Sequence, residues 1–194
     1  MYKRQTQLSV PGDLFLSAAQ IYPATGAAAQ IVAGQASDGS GHSLFDPGSR
    51  ITIARSTGAA PDAPYSVFGR LRLGADIIEQ GGVLRAPLGL IELGIDGNEK
   101  GATSLLKLLP GSITSSSARG LVMPYGGTID GINYKYVGND VTLVGVGASR
   151  DSGELGMGVA LAGKSVSVQA SALIDLSGGG DLRGAGFVLS LIHI

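Results

Sequence analysis

Gly69-Arg-Leu-Arg-Leu-Gly-Ala-Asp-Ile-Ile-Glu-Gln-Gly-Gly-Val-Leu-Arg-Ala-Pro-Leu-Gly-Leu-Ile-Glu-Leu-Gly-Ile95 is the stretch that decides the fold. Leu71, Leu73, Ala75 and Ile77 alternate with Arg70, Arg72, Gly74 and Asp76, the period-2 pattern of a strand with one buried and one wet face. Gly81-Gly82 interrupts that strand, and Val83 to Ala86 makes another. Pro87 and Gly89 interrupt the second, after which Ile91, Leu93 and Ile95 alternate with Glu92 and Gly94. Three short strands joined by tight Gly or Pro corners predict one winding of a β-solenoid with about twenty residues per turn. The stretch reads as scaffold rather than active site.

Composition agrees with this reading. Hydrophobic residues make up 44% of the 194-residue chain but aromatics only 5%, with 32 Gly and no Trp. Apolar content of this kind suits narrow, stacked rows of Ala, Val, Ile and Leu better than a core anchored by large rings. A formal charge of -1 provides no basic field for nucleic acid or an anionic membrane. No apolar run approaches the roughly 18 residues that a membrane helix needs.

On either side of the central winding the same signals recur. Gln7 to Phe15 alternates weakly, and Ala18 to Pro23 closes on a proline corner. Strands are predicted at Ala29 to Ala33 and Arg50 to Ala54, separated by loops with turn signals at Asp38-Gly-Ser-Gly41 and Asp46-Pro-Gly48. Gly58 to Pro64 reads as a protruding or crossing loop, and Asp96 to Gly101 as a polar turn. Leu105 to Leu109 is too short for a helix and is stopped by Pro110-Gly111, so a strand is predicted. Alternation returns at Thr128 to Tyr136, Val141 to Val146 and Val159 to Ala162. It is clearest at Val166, Val168 and Ala170 and at Ala172, Ile174 and Leu176. No stretch sustains a 3.6-residue period, so helix content is expected to be negligible. The expected fold is all-β, a parallel β-helix of right-handed sense, with Leu, Ile, Val and Ala stacked inside.

The two ends read differently. With GTG as start codon, Met1 to Gln5 can be encoded by GTG TAT AAG AGA CAG and Leu189 to His193 by CTG TCT CTT ATA CAC, which are reverse complements. Both resemble the transposase mosaic end used to fragment DNA for sequencing, and Ile194 continues it. Residues 1–5 and 189–194 are therefore expected to be adapter-derived, and residues 6–188 to be a solenoid segment of a larger protein. Removing Lys3 and Arg4 takes the basic count from 14 to 12 against 15 acids, a charge of 12 − 15 = −3. The terminal windings of such a segment would expose apolar rows and strand edges, so aggregation is expected on isolated expression.

Several segments taken together resemble a known family. Leu16-Ser-Ala-Ala-Gln-Ile-Tyr-Pro23, Ile78-Glu-Gln-Gly-Gly-Val-Leu-Arg-Ala-Pro-Leu-Gly89, Leu109-Pro-Gly-Ser-Ile-Thr-Ser115, Met123-Pro-Tyr-Gly-Gly-Thr-Ile-Asp-Gly131 and Ile174-Asp-Leu-Ser-Gly-Gly-Gly-Asp-Leu182 occur in that order. They resemble the body of filamentous haemagglutinin-like proteins of Gram-negative bacteria. The resemblance implies two-partner secretion through an outer-membrane β-barrel exporter, a secreted or cell-surface location, and adhesion. The implied partners are host-cell, matrix or glycan receptors or neighbouring bacteria. The family's N-terminal secretion domain has no match here. The absence of cysteine leaves two readings open: chance, or a chain threaded through a pore after a disulfide-forming periplasm.

Ser177-Gly-Gly-Gly-Asp181 is similar to one calcium-binding nonapeptide, but a calcium roll needs the motif in successive turns, so a solenoid corner is expected. Asp96, Asn98 and Glu99 lack EF-hand spacing, and Gly145-Val-Gly147 precedes no helix. His42, with Asp38, Asp46, Ser40 and Ser43 around it, sits in a Gly/Ser loop too loose for a triad base. Asp76, Glu79 and Glu92 could share neighbouring faces, with Arg70, Arg72 and Arg85 to neutralise a uronate, as in β-helical polysaccharide lyases or glycoside hydrolases. Tyr125, Tyr134 and Tyr136 are too few for a sugar platform. No catalytic residue, metal site or cofactor is expected. The polysaccharide enzyme stands as the alternative to a structural and adhesive role.

Overall fold

The computed structural model describes residues 5–37, 43–56, 58–95, 102–123, 127–129, 133–136, 139–140, 142–144, 154–183 and 185–187. They are all-β, built mainly of parallel sheets, and no helix occurs among them. The chain makes successive passes over the same sheets. The first pass holds β1 (Gln5–Val10) and β2 (Leu14–Ala18). The second holds β3 (Ala28–Ala33), a hairpin of β4 (Gln35–Ser37) and β5 (Ser43–Phe45), and β6 (Arg50–Arg55). The third is β7 (Arg70–Gly74), β8 (Ile77–Gly81) and β9 (Val83–Arg85). The fourth is β10 (Leu90–Leu93), β11 (Leu105–Leu108) and β12 (Ile113–Ser115). Six short strands follow: β13 (Val122–Met123), β14 (Gly127–Ile129), β15 (Asn133–Tyr136), β16 (Asn139–Asp140), β17 (Thr142–Val144) and β18 (Glu154–Gly156). The fifth pass is β19 (Gly158–Leu161), β20 (Ser165–Val168) and β21 (Leu173–Asp175), with β22 (Asp181–Leu182) and β23 (Ala185–Phe187) after it.

In the three principal sheets strands pair in parallel with their counterparts in the adjoining pass, while β4–β5, β14–β15 and β15–β16 are antiparallel. The first sheet runs β1-β3-β7-β10-β19, the second β2-β6-β8-β11-β20, and the third β9-β12-β21. Arg70 stands in register with Leu90, twenty residues on, as the quoted stretch predicts. The second pass supplies no strand to the third sheet, and Ile21 of the first pass bridges directly to Leu84 of the third. Its chain continues instead through the 58–69 loop.

Registers turn the period-2 pattern into continuous aliphatic rows. In the first sheet Leu8, Ile31, Leu73, Leu93 and Leu161 line up. In the second, Leu14, Ile51, Ile78, Leu106 and Val166 form one row and Leu16, Ile53, Gln80, Leu108 and Val168 the next. The central members of these rows are almost wholly buried. Gln80 is the polar exception: its amide donates to the carbonyls of Gly82 and Ile113 at 3.2 and 3.1 Å, and its Oε1 accepts the Gly82 N–H at 2.8 Å.

The expected single strand through Ile77 is corrected. Alternation continues across Ala75-Asp76, but the chain bends there, so β7 and β8 belong to different sheets. After the bend Ile78, not Ile77, faces inward. The weak strand from Gln7 to Phe15 is likewise broken at Pro11-Gly12, and the loop after Ala33 contains the β4–β5 hairpin. Turn signals at Asp46-Pro-Gly48 and Pro110-Gly111 hold: Ser49 N–H returns to Asp46 O, and Ser112 N–H to Leu109 O, with Gly48 and Gly111 at positive φ. In the equivalent turn of the fifth pass Ala172 N–H returns to Gln169 O, and Ser171 takes the positive φ of 62°.

Candidate functional site

Strand alternation sends Arg70, Arg72 and Glu92 to the outer face of the first sheet, with Arg72 and Glu92 in register. The Arg70 guanidinium forks onto the diagonal Glu92, Nε to Oε2 at 2.5 Å and Nη2 to Oε1 at 2.7 Å. That bidentate bond raises the Arg70 pKa against the opposing effect of burial.

Glu79 stands on the outer face of the second sheet, in register with Thr52 and Lys107. Its oxygens receive Arg50 Nη1 at 2.6 Å and Lys107 Nζ at 3.3 Å. Desolvation pushes its carboxyl up, but the two cations outweigh it and hold the group below the usual range.

Asp76 occupies the corner between those two faces. Burial pushes it up, while hydrogen bonds from Ser104 and from the Gly48 N–H, with the charge of Lys164, bring the net shift down. The Gly48 N–H donates to Asp76 Oδ2 at 2.6 Å. The three acids singled out in the sequence thus lie on two faces and the corner between them, each engaged by internal partners.

Arg85 is separated from the other two arginines, on the third sheet in register with Ser115, which is paired in turn with Asp175. Its Nη2 donates to Pro61 O at 3.1 Å, so it holds down the 58–69 loop. Desolvation lowers its pKa, opposed by the charges of Asp175 and Asp62.

Sequence reasoning missed the hydroxyl ladder beside it. Ser177 donates its hydroxyl and its N–H to Asp175 Oδ1 at 2.5 and 3.0 Å, and Ser115 Oγ donates to Oδ2 at 3.2 Å. Ser117 Oγ donates to Ser177 O at 3.1 Å, one pass away. These bonds, the Ser177 hydroxyl first, hold Asp175 below the ordinary carboxylate range. The signal available was the match of Ile113-Thr-Ser-Ser-Ser117 to Leu173-Ile-Asp-Leu-Ser177, sixty residues apart.

In Ser177 to Asp181, Gly179 and Gly180 both have φ near 91°, and Gly180 packs against Ala118. The Asp181 N–H is bonded to Leu121 O, so the segment makes a corner. Among the described residues no three of His, Cys, Asp and Glu cluster as metal ligands would. His42, Asp38, Ser40, Asp96, Asn98, Glu99, Gly145, Gly147 and Tyr125 lie outside the described residues, as do the side chains of Ser43, Tyr134 and Tyr136. Asp46 is exposed in its turn.

No helix among the described residues is long and apolar enough to cross a membrane. Comparison of the chain with protein-family models, with curated proteins and with solved structures finds no match.

Proposed function

We propose that this chain is a stretch of right-handed parallel β-helix. In this reading it serves as a rigid structural and adhesive segment of a large secreted surface protein of the filamentous haemagglutinin-like kind. The observation that carries the reading is the return of the chain to the first two sheets on each of five passes, and to the third on the last three, with the strands of these sheets in parallel register from pass to pass. Right-handedness follows from the strong preference of parallel crossover connections for that hand.

A stack of this kind extends by adding passes, so it carries a contact surface away from its anchor. Many weak contacts along a long face then gain by multivalency. The outer faces support this role better than the enzyme alternative. Glu79, Glu92 and Asp76 are engaged by Arg50, Lys107, Arg70, Gly48 and Ser104, which suits a stable wall more than a general acid and base facing a sugar. Partners in this reading are an outer-membrane β-barrel exporter during secretion, then host-cell, matrix or glycan receptors or neighbouring bacteria.

Long-read sequencing of the DNA flanking this reading frame tests the proposal. A frame many times longer, with a secretion domain upstream and an exporter gene beside it, is the expected result. A short frame closing near residue 190 would overturn it.

A further inference from the structure

Because the second pass gives no strand to the third sheet, Ile21 lies directly against Leu84. Its N–H donates to Val83 O at 2.9 Å, and the Arg85 N–H donates to Ile21 O at 3.0 Å. That register sets Gln20 beside Val83. Leu84 faces the core, so alternation turns Gln20, Val83 and Arg85 to the outer face. An outer face should be wet, yet Val83 is 1% exposed, and Gln20 Oε1 and Arg85 Nε are shut off from solvent. Ile113, in register with Val83 one pass on, is partly exposed.

What lies outside the sheet here is the segment Gly58-Ala-Ala-Pro-Asp-Ala-Pro64. Two arginines grip it by backbone carbonyls: Arg85 Nη2 donates to Pro61 O at 3.1 Å, and Arg55 Nη1 to Gly58 O at 3.4 Å. The other arm of Arg55, Nη2, donates to Gly111 O at 2.5 Å. Beyond the segment the chain is fixed again, with Ser66 Oγ donating to Pro23 O at 2.6 Å and the Gly26 N–H to Val67 O at 2.9 Å. This closed arrangement carries a penalty. Among the described residues the buried side-chain polar atoms without a partner in the protein are Gln20 Oε1, Arg55 Nε, Arg85 Nε and Ser112 Oγ. The first three belong to the covered strip and its grips. A buried, unpaired polar atom opposes the state that buries it, and returning these three to water relieves that opposition.

We propose that residues 58–64 form a strap poised between closed and open. It lifts off the outer face of the third sheet while the passes stay stacked, and it uncovers a strip of Gln20, Val83 and Arg85. Opening breaks the arginine grips and no strand pairing, since no strand includes these residues. The strip lies between the first and third passes, so strands added at either end of the stack leave it as it is. The inference therefore holds for a parent protein of any length, and whether or not the adhesin reading does.

The chain contains no cysteine, so a single introduced thiol reports its own accessibility. Val83→Cys lies under the strap, whereas Leu84→Cys, next to it, points into the core at 0% exposure. In the full chain, with circular dichroism to verify the fold, maleimide labelling should be at least about tenfold faster at Val83→Cys than at Leu84→Cys. It should also be slower than at Phe15→Cys, an exposed position. Adding Arg85→Met keeps bulk but removes a charged hydrogen bond, so it should raise the Val83→Cys rate about tenfold and leave the Leu84→Cys rate unchanged. Gln20→Cys is a second reporter from the first pass and should respond as Val83→Cys does. Labelling of both strip thiols at the Leu84→Cys rate would overturn the proposal, because the strap would then open only with the stack. Labelling at the Phe15→Cys rate would overturn it as well, because the strap would not close. So would an Arg85→Met effect that is equal at Val83→Cys and Leu84→Cys, or absent from the strip.

Discussion

Gln80 occupies a position where pattern alone asks for Leu, between Ile53 and Leu108 in an aliphatic row. Its fully buried amide supplies the Gly82 N–H with an acceptor and two carbonyls with a donor, locking the sharp turn from the second sheet into the third. Gln80→Leu should therefore destabilise the protein by about 2 kcal/mol despite its better hydrophobicity, because the buried Gly82 N–H loses its partner. Urea denaturation that shows a neutral or stabilising effect would rule this out. Ser171 makes the opposite case. It holds φ at 62° in a turn where the preceding pass has Gly111 at 73°. A left-handed conformation costs a residue with Cβ roughly 1–2 kcal/mol, while glycine adds about 0.4–1 kcal/mol of chain entropy to the unfolded state. Ser171→Gly should thus gain up to about 1 kcal/mol, and Gly111→Ala should lose a similar amount, since nothing lies within 4 Å of its added Cβ. Equal signs for the two substitutions in the same urea assay would count against this turn geometry.

Among elements, three of the carboxylates that tie neighbouring strands and turns shift in the same direction. Asp76, Glu79 and Asp175 are each lowered in the folded protein. Between the folded and unfolded values the unfolded chain binds more protons, so raising the pH favours folding there. Their contribution is complete above the ordinary carboxylate range of about 4 and is lost as pH falls through it toward the depressed folded values. Thermal unfolding should hold steady from neutral pH to about 5 and then drop. Glu79→Gln should lower the midpoint at neutral pH and flatten the acid limb, since its two cations lose their charge partner. An unchanged acid limb in that variant would mean Glu79 does not contribute as its contacts indicate. This ion-pair layer was only half legible in the sequence. Twenty-residue periodicity places Arg72 opposite Glu92, but the partner chosen is the diagonal Arg70, a matter of side-chain reach. The bend at Ala75-Asp76 was hidden because alternation runs through it unbroken, whereas Gly81-Gly82 and Pro87 announce their corners. The hairpin of β4 and β5 was hidden because its strands are three residues each, too short for a period to show.

For the whole molecule, stability should follow position along the stack. Apart from the Ile21–Leu84 bridge between the first pass and the third, each pass pairs with its neighbours, so an interior pass must break two sets of strand pairings to open and a terminal pass fewer. Burial follows the same order: Leu71, Leu73, Ile78, Leu84, Ile91 and Leu93 are essentially inaccessible, while Leu8, Val166, Val168 and Leu173 are at least two-fifths exposed. Hydrogen exchange read by mass spectrometry should therefore be slowest across residues 70–93 and faster across 5–18 and 158–175. Each 1.4 kcal/mol of opening free energy separating them is worth about a factor of ten. Uniform protection would mean that the passes open as one unit.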